Sequence, residues 1–275
     1  MRRPLKFLAW SVGLVAFLFA WGYLNAHADP VVRRAEVALP DWPAREPPMR
    51  VVLLSDIHLG NSAMDARRLG RIIGQVNALK PDLVLIAGDF VAGSDHAAAR
   101  VSATQLMQPL RGLRARLGTV ATLGNHDERD APDEVRLALA GAGIPLLENS
   151  ATTRGPLLIG GLGDYLTGHQ RIGTTLRAMQ LLQGAGVIMG HSPTTAPHMP
   201  QRVALVLAGH THCGQIVLPF YGPVLKVAPP RYMCGMVRDP GRTTIVSGGL
   251  GTSNLPLRYG APPDLWLITL GPAAR

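Results

Sequence analysis

The chain has few cysteines and few charged residues. Its 275 residues include 2 Cys, and 16% of them are charged. Two cysteines exclude a disulfide-rich scaffold and a cysteine-rich zinc module, and whether Cys213 and Cys234 pair stays open. A hydrophobic content of 47% excludes a disordered chain, a coiled coil and an acidic tail protein. The 31 Gly and 23 Pro follow no period, which favours a loop-rich α/β domain.

The chain is also poor in acidic residues. Its 27 basic and 18 acidic residues give a net charge of +9. This balance favours anionic partners such as phosphate esters and anionic lipid surfaces. The basic residues are scattered rather than gathered in runs, so we predict no nucleic-acid partner.

Residues 1–28 are predicted to be a membrane anchor or a signal. The stretch Phe7–Leu24 is almost wholly apolar, and at 1.5 Å per residue it reaches about 27 Å, close to the hydrocarbon thickness of a bilayer. We interpret it as a retained anchor, and the basic residues before it place the following domain on the outer face. Two alternatives are a signal peptide cleaved after Ala28 and twin-arginine export from Arg2 and Arg3.

Residues 29–49 contain five prolines and are predicted to form an extended linker. The domain that follows, 50–275, alternates short apolar runs with helix-compatible segments such as Ala63–Leu79 and Pro132–Ala142. We predict buried strands for these runs: Arg50–Ser55, Leu83–Ala87, Thr119–Leu123, Leu157–Gly160, Val187–Met189, Val203–Ala208, Thr243–Ser247 and Leu265–Leu270. This alternation is typical of a layered α/β fold, in which functional residues gather at the carboxyl ends of strands.

Five of the apolar runs end in glycine-spaced or alternating Asp, Asn and His residues. Residues i and i+2 of an extended chain lie on the same side, so D-x-H and H-x-H can each direct two side chains at one ion. Glycine beside a ligand allows the backbones to approach closely. The candidate ligands are Asp56, His58, Asp89, Asn125, His191, His210 and His212.

Seven oxygen and nitrogen donors are more than one ion requires. If one carboxylate bridges, they suit two divalent ions, which can clamp the attacking and leaving oxygens of a displacement at phosphorus. Mixed carboxylate, amide and imidazole donors favour Mn, Fe or Zn.

The ordered motifs D-x-H, G-D, G-N-H-D, G-H and G-H-T-H resemble those of the calcineurin-like metallophosphoesterase superfamily over about residues 50–270. The resemblance implies an α/β fold of four layers, a two-sheet β-sandwich flanked by helices, behind the N-terminal transmembrane helix. It implies that Asp56, His58 and His212 hold one metal, that Asn125, His191 and His210 hold the second, and that Asp89 bridges them. It further implies that His126 contacts the phosphate and assists the leaving oxygen, oriented by Asp127.

The N-terminal segments and the tail are similar to one branch, the membrane-associated bacterial phosphoesterases. Gly214-Gln215-Ile216 and the segment 248–258 carry this similarity, while Cys213 stands where the branch commonly has Gly. Some members resemble enzymes that cleave UDP-2,3-diacylglucosamine in lipid A synthesis. The resemblance therefore implies a lipid-linked phosphate ester as substrate and the bacterial inner membrane as location. The single span and the basic residues before it predict that the catalytic domain lies on the periplasmic face. Arg258 is a candidate contact for a second phosphate or an anionic head group.

Three functions remain open at this stage. The first is a membrane-anchored phosphodiesterase or pyrophosphatase with two metal ions, for which manganese is one candidate. The second is an exported phosphomonoesterase or nucleotidase of broad range. The third is an envelope-binding protein that keeps a structural metal site. The oligomeric state is not predicted.

Overall fold

The apolar runs form the strands of two stacked sheets. The computed structural model describes residues 2–93 and 96–272. The strands in chain order are β1 Val31–Leu39, β2 Met49–Leu54, β3 Leu83–Ala87, β4 Thr119–Thr122, β5 Ser150–Arg154, β6 Leu157–Gly161, β7 Ala185–Met189, β8 Leu205–Ala208, β9 Val217–Leu218, β10 Gly222–Pro223, β11 Gly235–Asp239, β12 Arg242–Val246 and β13 Asp264–Pro272. The helices are α1 Arg2–His27, α2 Ala66–Ala78, α3 His96–Leu110, α4 Asn125–Asp130, α5 Pro132–Gly141 and α6 Ile172–Gln180.

The first sheet has the strand order β1-β13-β2-β3-β4, and the second has the order β11-β12-β8-β7-β6-β5. Alternate residues of each inner strand point to opposite faces of its sheet. Side chains such as Val51 and Leu85 of the first sheet therefore pack against Val187 and Leu205 of the second. This shared core makes the two sheets a sandwich.

The outer face of each sheet is covered by helices. Val52 and Val84 of the first sheet pack with apolar residues of α2, α3 and α5. Ile188 and Val206 of the second sheet pack against α6 and a short 3₁₀ segment, Pro193–His198. The order of layers is thus helix, sheet, sheet, helix, and the predicted four-layer α/β metallophosphoesterase fold is confirmed.

The predicted linker differs from the structure over residues 31–39. These residues form β1, which pairs in parallel with β13, so that Val31 lies opposite Asp264 and Leu39 opposite Pro272. Ala35, Val37 and Leu39 are buried while the residues between them are exposed. The segment therefore adds an edge strand to the first sheet instead of serving as a free spacer.

Helix α1 projects from this body. Over Phe7–His27 it is long and apolar enough to cross a membrane, and its side chains from Phe7 to Trp21 are exposed apart from Ser11. Its last turns pack on the domain, where Gly22 and Ala26 are buried. The Gly22 carbonyl accepts a hydrogen bond from the Arg258 amide at 3.0 Å.

Candidate metal centre

The polar residues that follow five strands meet at one edge of the sandwich. Strands β2, β3 and β4 are parallel neighbours in the first sheet, and β7 and β8 are parallel neighbours in the second. Their carboxyl ends therefore open onto the same place. We use the name metal centre for the seven residues gathered there: Asp56, His58, Asp89, Asn125, His191, His210 and His212.

One group of donors consists of Asp56, His58 and His212. The Nε2 atoms of the two histidines lie 3.1 Å apart. Asp56 Oδ1 lies 3.4 Å from His212 Nε2 and 4.0 Å from His58 Nε2. The three side chains are buried, and their donor atoms converge on a single point.

A second group consists of Asp89, His191 and His210, whose donor atoms all lie within 4.8 Å of one another. His191 Nε2 lies 3.2 Å from Asp89 Oδ2. The same oxygen lies 3.5 Å from His58 Nε2 in the first group. Asp89 is thus shared between the two groups, as a bridging ligand would be.

Asn125 faces the second group through its side-chain amide. The amide oxygen lies 3.1 Å from His210 Nδ1, so two acceptor atoms face each other, and turning the amide would give a hydrogen bond instead. A cation bound by both atoms would need the Asn125 oxygen, rather than the amide nitrogen, to face His210. Carboxylate, amide and imidazole donors converge in both groups, so the residues present fit two metal ions.

The backbone is strained at five of the seven residues. Asp56, His58, Asp89, His210 and His212 have φ values of 49°, 49°, 56°, 71° and 49°. The left-handed region costs a non-glycine residue about 1 kcal/mol or more, and such strain clusters at functional sites. The backbone also passes close to the ligands here, because a Cβ on Gly209 would overlap the Asp56 carboxylate.

Burial keeps three imidazoles neutral. It lowers the pKa of His58 and of His210 to about 3, and it lowers the pKa of His212 well below its usual range. Burial would raise the pKa of Asp89, yet His191 and His58 hold it well below its usual range. The centre therefore combines neutral nitrogen donors with a charged carboxylate.

The neighbouring hydrogen bonds orient the ligands. His191 Nδ1 lies 2.7 Å from the Ala87 carbonyl. That carbonyl can only accept, so Nδ1 donates to it and Nε2 faces the Asp89 carboxylate. Burial would lower the pKa of His191, but Asp89 raises it to about 10, so a metal ion that binds Nε2 would displace a proton from it.

Asp127 does not contact His126, contrary to the sequence prediction. Its carboxylate accepts backbone N–H bonds from Asp89, Phe90, Val91 and Gly124, at 2.8 to 3.2 Å. It therefore ties the end of β3 to the start of α4. Burial and the nearby Asp89 raise the pKa of this carboxyl to about 8.

The group that faces His126 is Asp130, which the sequence reasoning missed. Asp130 Oδ2 lies 3.4 Å from His126 Nδ1, one helical turn along α4. The i, i+4 spacing on a helix is the signal that could have identified it. His126 itself stands beside the metal centre, with its ring centroid 5.0 Å from that of His58.

Arg258 is not placed to bind a phosphate. Its side chain is 0% exposed, and its guanidinium donates to the carbonyls of Gly248, Gly249, Gly251 and Ala261. Burial lowers its pKa to about 10, so it stays charged at neutral pH. It holds together the loop after β12 that closes the metal centre.

Cys213 and Cys234 form a disulfide bond, which answers the question that the sequence left open. Cys213 has a φ of 53°, a conformation that favours glycine, and this explains why glycine suits the position. The bond ties the residue after His212 to the segment before β11.

A groove of about 380 Å³ leads away from the metal centre. Asp89, His126, His210 and His212 line its inner end. Its outer part is lined by Ile216, Val224, Leu225, Val227 and Leu255. The groove thus has a polar end at the ligands and an apolar wall beyond them.

Comparisons with known proteins agree with this geometry. The family model of calcineurin-like phosphoesterases matches residues 49–214. The chain is 32% identical to an uncharacterized metallophosphoesterase, YkuE, of Bacillus subtilis, over 80% of this chain and 78% of the relative. It is 30% identical to a transmembrane protein with a metallophosphoesterase domain of Danio rerio, over 94% of this chain and 61% of that protein. The chain therefore spans about three fifths of the Danio rerio relative.

Among solved structures, a 5'-nucleotidase precursor of Thermus thermophilus aligns with a TM-score of 0.51 at 16% identity, covering 81% of this chain and 55% of that one. This likeness shows the fold alone. The family match covers more than half of the chain and includes every ligand of the metal centre. The chain belongs to the calcineurin-like phosphoesterase family.

Proposed function

We propose that the protein is a membrane-anchored hydrolase that uses two divalent ions to cleave phosphodiester or diphosphate bonds. The observation that carries the proposal is the sharing of Asp89 Oδ2 between His58, at 3.5 Å, and His191, at 3.2 Å. One carboxylate between two groups of buried donors is the arrangement that a pair of ions requires.

In this proposal Asp56, His58 and His212 would hold one ion of Mn, Fe or Zn. Asn125, His191 and His210 would hold the other, with Asp89 available to both. When bound, the ions supply Lewis-acid stabilisation of the charge that develops on the phosphoryl oxygens.

His126 lines the inner end of the groove, where it reaches a phosphate held at the centre. Its imidazole donates a proton to the leaving oxygen and stabilises the charge that forms there. Asp130 Oδ2 lies 3.4 Å from Nδ1 without a hydrogen bond between them. In the proposed reaction Nδ1 would donate to this carboxylate, which would position the ring and leave Nε2 for the substrate. Asp127 supports the site by fixing the backbone of β3 and α4.

Hydrolysis of paired model esters tests this function. The full chain in detergent, supplied with Mn²⁺ or Zn²⁺, is expected to cleave bis(p-nitrophenyl) phosphate faster than p-nitrophenyl phosphate. Faster cleavage of the monoester would favour a phosphomonoesterase or nucleotidase. Metal binding without cleavage of either ester, across several metals, would favour an envelope-binding protein.

Two observations support an anchored domain on the exported side of the membrane. Helix α1 continues without a break through His27, and Ala26 is buried against the domain, which favours a retained anchor. The disulfide between Cys213 and Cys234 suits an oxidising compartment. We therefore propose a single span in the bacterial inner membrane with the catalytic domain on the periplasmic face.

The sequence resemblance suggests UDP-2,3-diacylglucosamine, an intermediate of lipid A synthesis, as one lipid-linked substrate. That diphosphate is cleaved on the cytoplasmic side, whereas the disulfide favours the opposite side. Assaying this compound beside a diacylglycerol phosphodiester distinguishes the two possible substrates. Cleavage of UDP-2,3-diacylglucosamine alone would assign the lipid A role and would place the catalytic domain on the cytoplasmic side.

A further inference from the structure

The turn between β9 and β10 presents apolar side chains to the outside. We call residues 216–227 the membrane hairpin. Leu218, Phe220, Tyr221 and Leu225 are exposed, and Phe220 is as open as a residue in an extended peptide, at 111%. Contiguous exposed apolar surface on a folded domain marks an interaction site.

Phe220 has a second unfavourable feature. Its φ is 64°, in the left-handed region that a bulky side chain seldom adopts. Glycine or asparagine would fit this turn position with less strain. Fold stability therefore does not explain a phenylalanine here, and an outside partner would.

The position of the hairpin relative to α1 identifies that partner. The amide of Val217 donates to the Tyr259 carbonyl at 2.8 Å, and the Tyr259 amide donates to the Gln215 carbonyl at 3.0 Å. The Tyr259 hydroxyl in turn donates to the Leu18 carbonyl at 2.5 Å. The root of the hairpin is thus fixed to a residue within the apolar run of α1.

Leu18 lies six residues before Leu24, where the apolar run ends. At 1.5 Å per residue this is about 9 Å along the helix. If α1 spans the bilayer, residue 259 and the hairpin beside it lie at the depth of the interface rather than in bulk water. Aromatic residues and lysine are the residues that favour this layer, and Lys226 lies 6.0 Å from the Tyr221 ring.

We propose that the membrane hairpin is a second membrane-contact element, which inserts into the bilayer interface beside α1 and opens the groove of the metal centre to lipid phosphoesters. Val224, Leu225 and Val227 belong both to the hairpin and to the apolar wall of the groove. A lipid head group can therefore reach the ligands while its hydrocarbon part follows that wall. The inference rests on the proposed function, and it specifies the substrate class.

Photocrosslinking in vesicles tests the insertion. The full chain is reconstituted in phosphatidylethanolamine–phosphatidylglycerol vesicles, with p-benzoylphenylalanine in place of Phe220, Phe17 or Leu181, one at a time. Phe17 lies in α1, and Leu181 is 86% exposed before β7, at the strand end opposite the metal centre. We expect lipid adducts at positions 17 and 220 and none at 181.

The pattern of adducts separates the possible failures. Adducts at 17 but not at 220 would overturn the hairpin proposal and leave the anchor intact. Absence of adducts at both positions would overturn the anchor and, with it, the hairpin proposal. Equal adducts at 181 and 220 would indicate nonspecific adsorption and would also overturn the proposal.

A matched pair of substrates tests the route to the metals. Phosphatidyl-p-nitrophenol in vesicles and soluble bis(p-nitrophenyl) phosphate release the same leaving group, so the ratio of their rates isolates the lipid contribution. Phe220→Ser is expected to lower this ratio about tenfold, because it removes one large apolar side chain from the interface. Leu181→Ser is the control and should keep the wild-type ratio.

An unchanged ratio in Phe220→Ser, with metal content and melting temperature equal to the wild type, would overturn the proposal. Failure of the wild type to cleave either ester would instead count against the proposed function. The two failures are therefore distinguishable.

Discussion

The metal centre and the membrane hairpin are neighbours, and they depart from the usual burial of side chains in opposite directions. In the metal centre, charged and polar side chains such as Asp56, His58 and His191 are buried. In the hairpin, large apolar side chains such as Phe220 and Tyr221 are exposed. Polar groups normally favour water and apolar groups the interior.

Both regions also contain strained backbone. His58 and His212 in the metal centre and Phe220 in the hairpin all have positive φ. In the first region the unfavourable burial is offset when cations bind the donors. In the second, the exposure is offset when lipid covers the side chains. Each region is thus completed by a partner from outside the chain, cations for the metal centre and lipid for the hairpin.

The largest expected effect comes from a substitution in the metal centre. Asp89→Asn keeps the shape of the side chain but removes the charge that both donor groups share. We expect a loss of bound metal and a fall in diester hydrolysis of at least about 10³-fold, measured by metal analysis and steady-state kinetics. Asp164→Asn is the matched control, because Asp164 is also buried but bonds to Thr167 outside the centre. Equal losses in both variants would contradict a specific role for Asp89.

The next prediction tests whether His126 acts as a proton donor or as a metal ligand. His126→Ala should lower kcat by about 10²- to 10⁴-fold and leave the metal content unchanged, because a general acid contributes on that scale. His126 lies near His58 and Asp89, so loss of an ion in this variant would show that it is a ligand instead.

Arg258→Met tests the support behind the metal centre. The change removes donors to four buried carbonyls, and we expect a loss of about 3 kcal/mol of stability, or roughly 6–12 °C in Tm. The exposed Arg171, which also bonds to backbone carbonyls, gives the control Arg171→Met, with a change within about 0.5 kcal/mol. A folded Arg258→Met enzyme with normal Tm and a raised KM would restore the phosphate-binding role that the structure does not support.

A smaller effect is expected for the group that positions His126. Asp130→Asn should lower kcat about tenfold, as loss of one orienting contact typically does, with KM and metal content close to the wild type. Asp127→Asn should instead lower Tm, because Asp127 holds backbone amides. If the two variants exchange these outcomes, the original assignment of Asp127 to His126 is correct.

The smallest expected effect on stability comes from a substitution in the membrane hairpin. Phe220→Gly relieves the left-handed strain and should leave stability equal or up to about 1 kcal/mol higher. The same variant should float with vesicles less well than Phe220→Tyr, which keeps an interfacial aromatic ring. A destabilised Phe220→Gly variant would show that Phe220 stabilises the fold, which would contradict its assignment to membrane contact.

The sequence predicted the parts of the site that depend on local pattern. Asp56, His58, His210 and His212 follow apolar runs, and the positions of those strands were confirmed. Sheet edges bring the carboxyl ends of strands together, so the grouping of these residues follows from the topology.

The parts that were not predicted depend on contacts between distant residues. β1 pairs with β13 at the far end of the chain, and its alternation of Ala35, Val37 and Leu39 was obscured by the prolines on either side. Arg258 is buried because loop carbonyls surround it, which no local pattern shows. Asp130 faces His126 because residues four apart lie on the same side of a helix, whereas the adjacent Asp127 does not. The helix α4 that sets this spacing was not predicted from the sequence.

Metal analysis of the full chain, purified in detergent and assayed in the same preparation for diester hydrolysis, tests the central claim most directly. The shared position of Asp89 between two donor groups predicts about two ions per chain. Stripping the ions should abolish turnover, and adding Mn²⁺ or Zn²⁺ back should restore it. Full turnover with no more than one ion per chain would contradict the account.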